Sequence, residues 1–224
     1  MTNQPDLMTL LQVTDSTFPT GAFGFSGGLE RLNGDGWIKG AAGLTQILID
    51  ELIPRWFQFD RYYLCNAHRA KGDLAHLSDL DLSCDAQMYM PALRDASLTI
   101  GRGILTSHAR RGTPGSAEML AVIREGHLLG HAAIVQGAIG HALGLDEKTT
   151  EVGALHGLLM SHVSAAVRLG TLGALEALPV LSHCSDAAAS RWNEALPDHP
   201  NSFSPFLDIA ASRTAPNGAQ LFAN

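Results

Sequence analysis

The apolar positions of this chain recur mostly at helical steps of three and four rather than in alternation. In residues 150–170, Val152, Leu155, Leu158, Leu159, Val163, Ala166 and Leu169 share one face, because side chains three or four apart stack along a helix. Thr150 reads as the N-cap of that helix, Glu151 as an acid in its first turn and Gly170 as its stop. Leu44, Ile47, Leu48, Glu51 and Leu52 predict another helix, which Pro54 breaks or restarts. Leu93, Ser97, Ile100, Ile104 and Leu105 predict a third that runs towards Gly112, and residues 119–129 and 131–143 predict two more. Period-two runs of Val, Ile, Thr and Tyr are absent, so strands have little support. The pattern predicts an all-α fold: a single compact domain over residues 1–197, with roughly seven to ten helices.

Two segments do not read as helix. Residues 15–24, DSTFPTGAFG, are dense in turn formers yet carry Phe18 and Phe23. After Pro197 come Pro200, Pro205 and Pro216, a density that forbids a long helix. That tail also holds Phe203, Phe206, Leu207, Ile209, Leu221 and Phe222, too apolar for a solvated end. Residues 198–224 are therefore expected to be an extended tail, of a composition that can bind along a partner surface. The plainer reading is that Phe203, Phe206, Leu207 and Ile209 dock into a groove of their own domain.

Composition narrows the function. The 224 residues carry a formal net charge of −7, with 46% hydrophobic and 17% charged residues, a globular balance. Only Lys39, Lys71 and Lys148 are lysines and no basic stripe appears, so phosphate-driven nucleic-acid binding is not expected. Cys65, Cys84 and Cys184 are odd in number and widely spaced, which fits free thiols in a reducing compartment. No signal peptide and no membrane-length apolar stretch is evident, so a soluble, cytoplasmic chain is expected.

Chemistry is harder to find. No Gly-Lys pair exists for a P-loop, and Gly21, Gly24, Gly27 and Gly28 follow no strand, so no nucleotide cofactor is expected. His127 and His131 stand four apart on one predicted helical face, close enough to share an ion. A small helical metal-dependent hydrolase built on them is the alternative function. Their context, EGHLLGH, lacks the intervening glutamate of a zinc-hydrolase helix, and two histidines without a third ligand make no closed or catalytic site. No GxSxG elbow is present, and Asp79 and Asp81 read as a solvated turn. Gly126, Gly130, Gly137 and Gly140 fall in predicted helices, where each costs about 1 kcal/mol against Ala. They imply close helix–helix approach, within the monomer or across a dimer.

The motifs themselves supply more. Residues 10–30, LLQVTDSTFPTGAFGFSGGLE, resemble the N-terminal signature of the UreF family, LLQLxDSxxPxGxFxxSxGLE. Arg94, Ser97, Gly101 and Leu105 resemble its RxxSxxxGxxxL helix, and His131, Val135 and Gly137 its His-Pro-Val-x-x-Gly region. Residues 163–173, VSAAVRLGTLG, resemble its SAxxRLxPLG segment, and residues 205–213, PFLDIAASR, its PxLDIxxxxHE tail. Ala132 and Thr171 stand where the family often has proline. Thr214 and Ala215 replace its His-Glu, and Leu221-Phe222 lacks the usual preceding arginine. The resemblance implies an all-α, dimeric, non-enzymatic adaptor. It implies binding to a UreD/UreH-type accessory protein, recruitment of a UreG-type GTPase to the urease apoprotein, and a part in nickel insertion. Partner-facing residues are then expected among Phe18, Phe23, Glu30, Arg94, Arg168, Phe206, Asp208 and Arg213. Glu30 would begin the helix that supports the 15–28 loop. Arg94 or Arg168 is also a candidate to stimulate the GTPase in trans, although Arg168 equally suits the C-terminal dipole of its own helix.

Overall fold

The computed structural model describes residues 4–15, 17–213 and 222. Among them it is all-α, with no strand. Helix α1 (Gln4–Thr14) leads into the glycine-rich loop, which contains a short 3-10 turn at Ala22–Gly24. Helix α2 (Leu29–Gly34) follows. Next comes one continuous helical rod: α3 (Gly40–Ile47), a π turn (Leu48–Leu52), α4 (Ile53–Arg55), a second π turn (Trp56–Asp60) and α5 (Arg61–Arg69). Pro54 does not break this rod. The Ile53 N–H reaches back five residues to the Leu48 carbonyl, and that of Arg61 to Trp56. The widened pairing on either side accommodates a residue that has no N–H to give.

The rod is the centre of the molecule. Leu44, Leu48, Leu52, Ile53, Trp56, Phe57, Phe59, Tyr63 and Leu64 along it are all buried, each large side chain contributing about 1.5–3 kcal/mol by leaving water. Against it pack α6 (Leu74–Gln87), α9 (Ala132–Ala142), α10 (Glu147–Arg168) and α11 (Ala174–Ala189), while α7 (Pro91–Arg111) packs on α9 and α8 (Ser116–Arg124) on α7. The α5–α9 pair is the most intimate. A Cβ at Gly137 would overlap the Leu64 carbonyl oxygen, so glycine there sets how closely α9 approaches the rod.

Several ends differ from the sequence reading for local reasons. The 150–170 helix starts earlier, because Asp146 rather than Thr150 caps it, its carboxylate accepting from Thr149 N–H at 2.8 Å. The helix expected at 119–129 stops at Arg124, so Gly126 and Gly130 are not helical. Both lie in the following turn at φ 82° and 91°, a region that favours glycine.

The tail holds a helix where extended chain was expected. Helix α12 (Pro205–Ser212) opens on proline, which is tolerated in the first turn because that N–H would be unpaired anyway. Leu207 and Ala210, three apart, are buried, whereas Phe206 and Ile209 face out. α12 packs against α2 and α7. Thr214, Ala215, Pro216 and Leu221 lie outside the described residues.

Candidate functional site

The motif residues of α7 converge on the turn before α9. Asp81, fully buried and not solvated as its sequence context implies, accepts main-chain N–H bonds from Leu129 (2.6 Å), Gly130 (2.7 Å) and His131 (3.0 Å). The His131 ring is wholly enclosed. Its Nδ1 meets Ser97 Oγ at 3.1 Å and its Nε2 meets Asp85 Oδ1 at 2.9 Å. Arg94 Nε donates to the same Asp85 oxygen at 2.6 Å. Burial works against the Asp85 carboxylate, but the hydrogen bonds from Arg94 and His131 outweigh it and hold the group below its usual range. Gly101 completes the contact, since any Cβ there would strike the Gly130 carbonyl.

This arrangement corrects the metal reading of His127 and His131. Neither residue is on a helix: His127 is exposed in the turn, and His131 is the N-cap of α9 with both ring nitrogens engaged. It also places Arg94 as a brace for the turn rather than a free guanidinium. Elsewhere Cys65, Glu147 and Glu151 bring ligand-type atoms within 4.8 Å of one another. Their charges are already matched. Arg69 grips Glu147 at 2.7 Å on both oxygens, Arg61 Nε meets Glu151 at 2.7 Å, and the Cys65 thiol donates to Glu151 at 3.3 Å. Burial, then the two carboxylates, push the Cys65 thiol far up, away from thiolate character.

The remaining candidate residues lie at the two ends of the chain, which the fold joins. Gly28, at φ 88°, leaves room for α12: a Cβ there would stand 3.3 Å from both Ala210 Cβ and the Leu207 carbonyl oxygen. Beside it, Gly27 lies against the His162 ring, where a Cβ would come within 2.5 Å of Nε2. The glycine pair thus lets the N-terminal loop thread between α10 and α12.

On the α10 side Arg168 anchors the loop. Its Nη1 donates to the Phe23 carbonyl at 2.7 Å, and its guanidinium carbon lies 3.6 Å from the Phe23 ring centroid and 4.3 Å from that of Phe222. Phe23 is 70% exposed, whereas Phe18 is half-buried against His108, 5.1 Å between centroids. Of the two loop rings, one packs inward and one is displayed.

On the α12 side Asp208 is buried. It accepts from Tyr89 Oη at 2.7 Å and from Ser204 N–H at 3.0 Å. Burial, then the bond to Asp208, push the Tyr89 phenol up to about 12. Glu51 accepts from the Phe206 N–H at 3.2 Å, and burial raises its carboxyl above the usual range. The Phe206 ring leans on Trp37, 5.3 Å between centroids, and Arg213 reaches Asp35 at 2.9 Å. Tyr89, Trp37, Phe203, Phe206 and Ile209 leave their rings or branched ends exposed, an apolar patch on one face. Glu30 sits in the first turn of α2, between the two sides. The sequence reading assigned no partner-facing role to Trp37, Tyr89 or Glu51. Their only signal was an aromatic or an acid in otherwise ordinary surroundings.

The class these features define is an all-α protein whose recognisable motifs assemble one face from the two ends of the chain. Residues 38–185 match the UreF family model, and the chain belongs to the UreF family. Urease accessory protein UreF of Trichodesmium erythraeum is 29% identical over 225 residues, covering 97% of this chain and 96% of that protein. The protein of the same name from Mycobacterium tuberculosis H37Rv is 30% identical over 207 residues, covering 92% and 93%. That of Rhizobium leguminosarum is 28% identical over 230 residues, covering 99% of each. Among the described residues no helix is long and apolar enough to cross a membrane.

Proposed function

We propose that this chain is a cytoplasmic, non-enzymatic adaptor in urease maturation, binding a UreD/UreH-type accessory protein and with it drawing a UreG-type GTPase to the urease apoprotein for nickel insertion. The observation that carries this reading is the joined face. The N-terminal signature and α12 are held together at Gly28, and the apolar patch of Trp37, Tyr89, Phe203, Phe206 and Ile209 stands exposed on it. The names of the relatives supply the urease context.

Within this reading Phe23, Glu30, Phe206 and Arg213 meet partners directly, Phe23 being seated by Arg168. Phe18 packs the loop against His108, Asp208 ties α12 to Tyr89, and Arg94 braces the turn before α9 through Asp85. Arg168 acts as a clamp on the loop rather than as a catalytic finger, because two rings and a carbonyl already hold it. A second copy of the chain docks elsewhere: α1 rests on α10, and Leu7, Met8, Leu11 and Val152 expose apolar surface there. The test is co-purification with the companion accessory proteins followed by a urease activation assay. Ile209→Asp is expected to abolish capture of the UreD/UreH-type protein and activation together. Retention of both would overturn the assignment of this face.

A further inference from the structure

An open groove of about 540 Å³ runs between α7 and the N-terminal loop. Phe18, Pro19, Gly21 and Gly103 form its largely apolar floor, and Arg102 and Arg110 stand exposed along its α7 side. Its walls are fixed. A Cβ at Gly103 would overlap the Thr20 carbonyl oxygen, Ser107 Oγ donates to the Pro19 carbonyl at 2.6 Å, and the Phe18 ring packs on His108. A wall held in this way needs little further ordering when a ligand enters. Although the chain carries a net charge of −7, neither guanidinium pairs with a carboxylate among the described residues. Arg102 uses only its Nε, on the Leu129 carbonyl at 2.9 Å. The nearby acids are committed elsewhere. Asp15 accepts from the Thr17 N–H at 2.7 Å, Asp95 meets Arg94 at 3.5 Å, and Glu118 and Glu125 do not line the groove.

The spacing selects the occupant. Arg102, Thr106 and Arg110 stand four apart and share one stripe of α7. Eight residues of helix separate the two arginines by about 12 Å. Four steps of extended chain cover about 13 Å, and residues four apart in such a chain point the same way. We propose that this groove binds an extended acidic segment of a partner protein, two carboxylates four residues apart meeting Arg102 and Arg110 and a small apolar residue between them resting on Phe18 and Pro19. A nucleic acid is the poorer fit, since the net negative charge of the chain repels a phosphate backbone. None of Phe23, Glu30, Phe206 and Arg213 lines the groove. The test uses this chain alone, so its failure leaves the urease reading standing.

The full-length, isotope-labelled chain is titrated with the end-blocked peptide Gly-Glu-Ala-Pro-Ala-Glu-Gly, whose proline favours extended backbone before it, and the backbone amide shifts are followed. Saturable binding that shifts residues of α7 and of the 18–21 loop is expected. The isomer with adjacent acids, Gly-Glu-Glu-Ala-Pro-Ala-Gly, and the peptide with Gln in place of both Glu should bind about fivefold more weakly or worse, the worth of one good exposed ion pair. Arg110→Gln should cost a similar factor without changing the melting temperature, since its guanidinium has no carboxylate to lose among the described residues. Arg124→Gln, which removes an exposed arginine of α8 outside the groove, should change nothing. Thr106→Glu sets the chain's own carboxylate four residues from each arginine, a spacing that supports a helix. It should abolish binding while melting at or above the parent temperature. No binding of the first peptide, equal binding of its isomer, undiminished binding by Arg110→Gln or Thr106→Glu, or tighter binding of an oligothymidylate would each overturn the proposal.

Discussion

The guanidinium carbon of Arg168 lies 3.6 Å from the centroid of the Phe23 ring, while its Nη1 donates to the Phe23 carbonyl oxygen at 2.7 Å. One side chain thus fixes both the ring and the backbone of a loop residue 145 positions away. Exposed cation–π contacts contribute about 0.5–1 kcal/mol each, so Arg168→Ala is expected to lower stability by about 1–2 kcal/mol. Its effect on partner capture should be larger, because the displayed Phe23 ring loses its seat. Arg168→Lys should not rescue capture, since an ammonium lacks the planar fork that stacks and donates together. Melting curves beside co-purification decide it. A normally captured Arg168→Ala chain would reject the clamp.

Removing the tail and blunting it are expected to differ. A chain ending at Pro197 loses the buried Leu207 and Ala210 and leaves Glu51 and Tyr89 without their α12 partners. It should melt well below the parent, by about 3 kcal/mol or more of stability. Phe206→Ala keeps the buried side of α12 and should cost about 1 kcal/mol while weakening capture. Circular dichroism with thermal melting separates the two. A truncated chain of parental stability would show that α12 adds nothing to its own domain.

Asp81→Ala should be among the most damaging single changes. It leaves three main-chain N–H groups of the 129–131 turn without an acceptor, and a buried unsatisfied donor costs about 1–3 kcal/mol. A loss of about 3–5 kcal/mol in denaturant unfolding is expected. A loss under about 1 kcal/mol, the range of an ordinary surface change, would mean that the turn is held by something else.

Acid should weaken the fold through His108. Burial, with a smaller push from Arg111, lowers this imidazole from 6.5 to about 4. The unfolded chain then takes up its proton first, so stability falls as pH drops from 6.5 towards 4. A tenfold change in proton affinity is worth about 1.4 kcal/mol, so the full loss over that interval is about 3 kcal/mol. His108→Asn, which keeps a polar group facing Thr113, should flatten that slope whatever its effect at neutral pH. An unchanged slope between pH 6.5 and 4 would assign the acid sensitivity to other groups.

Nickel or zinc should not be retained at one ion per chain. The His131 ring is engaged on both nitrogens, and Glu147 and Glu151 are gripped by arginines. Metal analysis after dialysis is the measurement. One tightly held ion that disappears in His127→Ala would revive the hydrolase reading.

The sequence by itself determined the helical class, because a period of three to four in the apolar positions has no other low-energy use. It also determined where the chain would turn: Gly112 and Gly170 stop helices as expected, at φ 81° and 70°. The family motifs too were legible as strings of residues. What they do was not, and only the tertiary structure decided that. Arg94, Ser97, Gly101 and His131 read as separate signals, yet they form one buried network, since hydrogen bonding depends on distances across the fold that spacing along the chain does not encode. Asp81 looked solvated because a local window cannot see a turn from 48 or more residues downstream closing over it. Pro54 read as a break or a new first turn; it falls in the first turn of α4 within a continuous rod, because the π turns relax the i to i−4 pairing that pattern reading assumes. The joined face depends on the same physics. Gly27 and Gly28 matter there for the Cβ atoms they lack, and only the packed positions of His162, Leu207 and Ala210 show why no side chain fits.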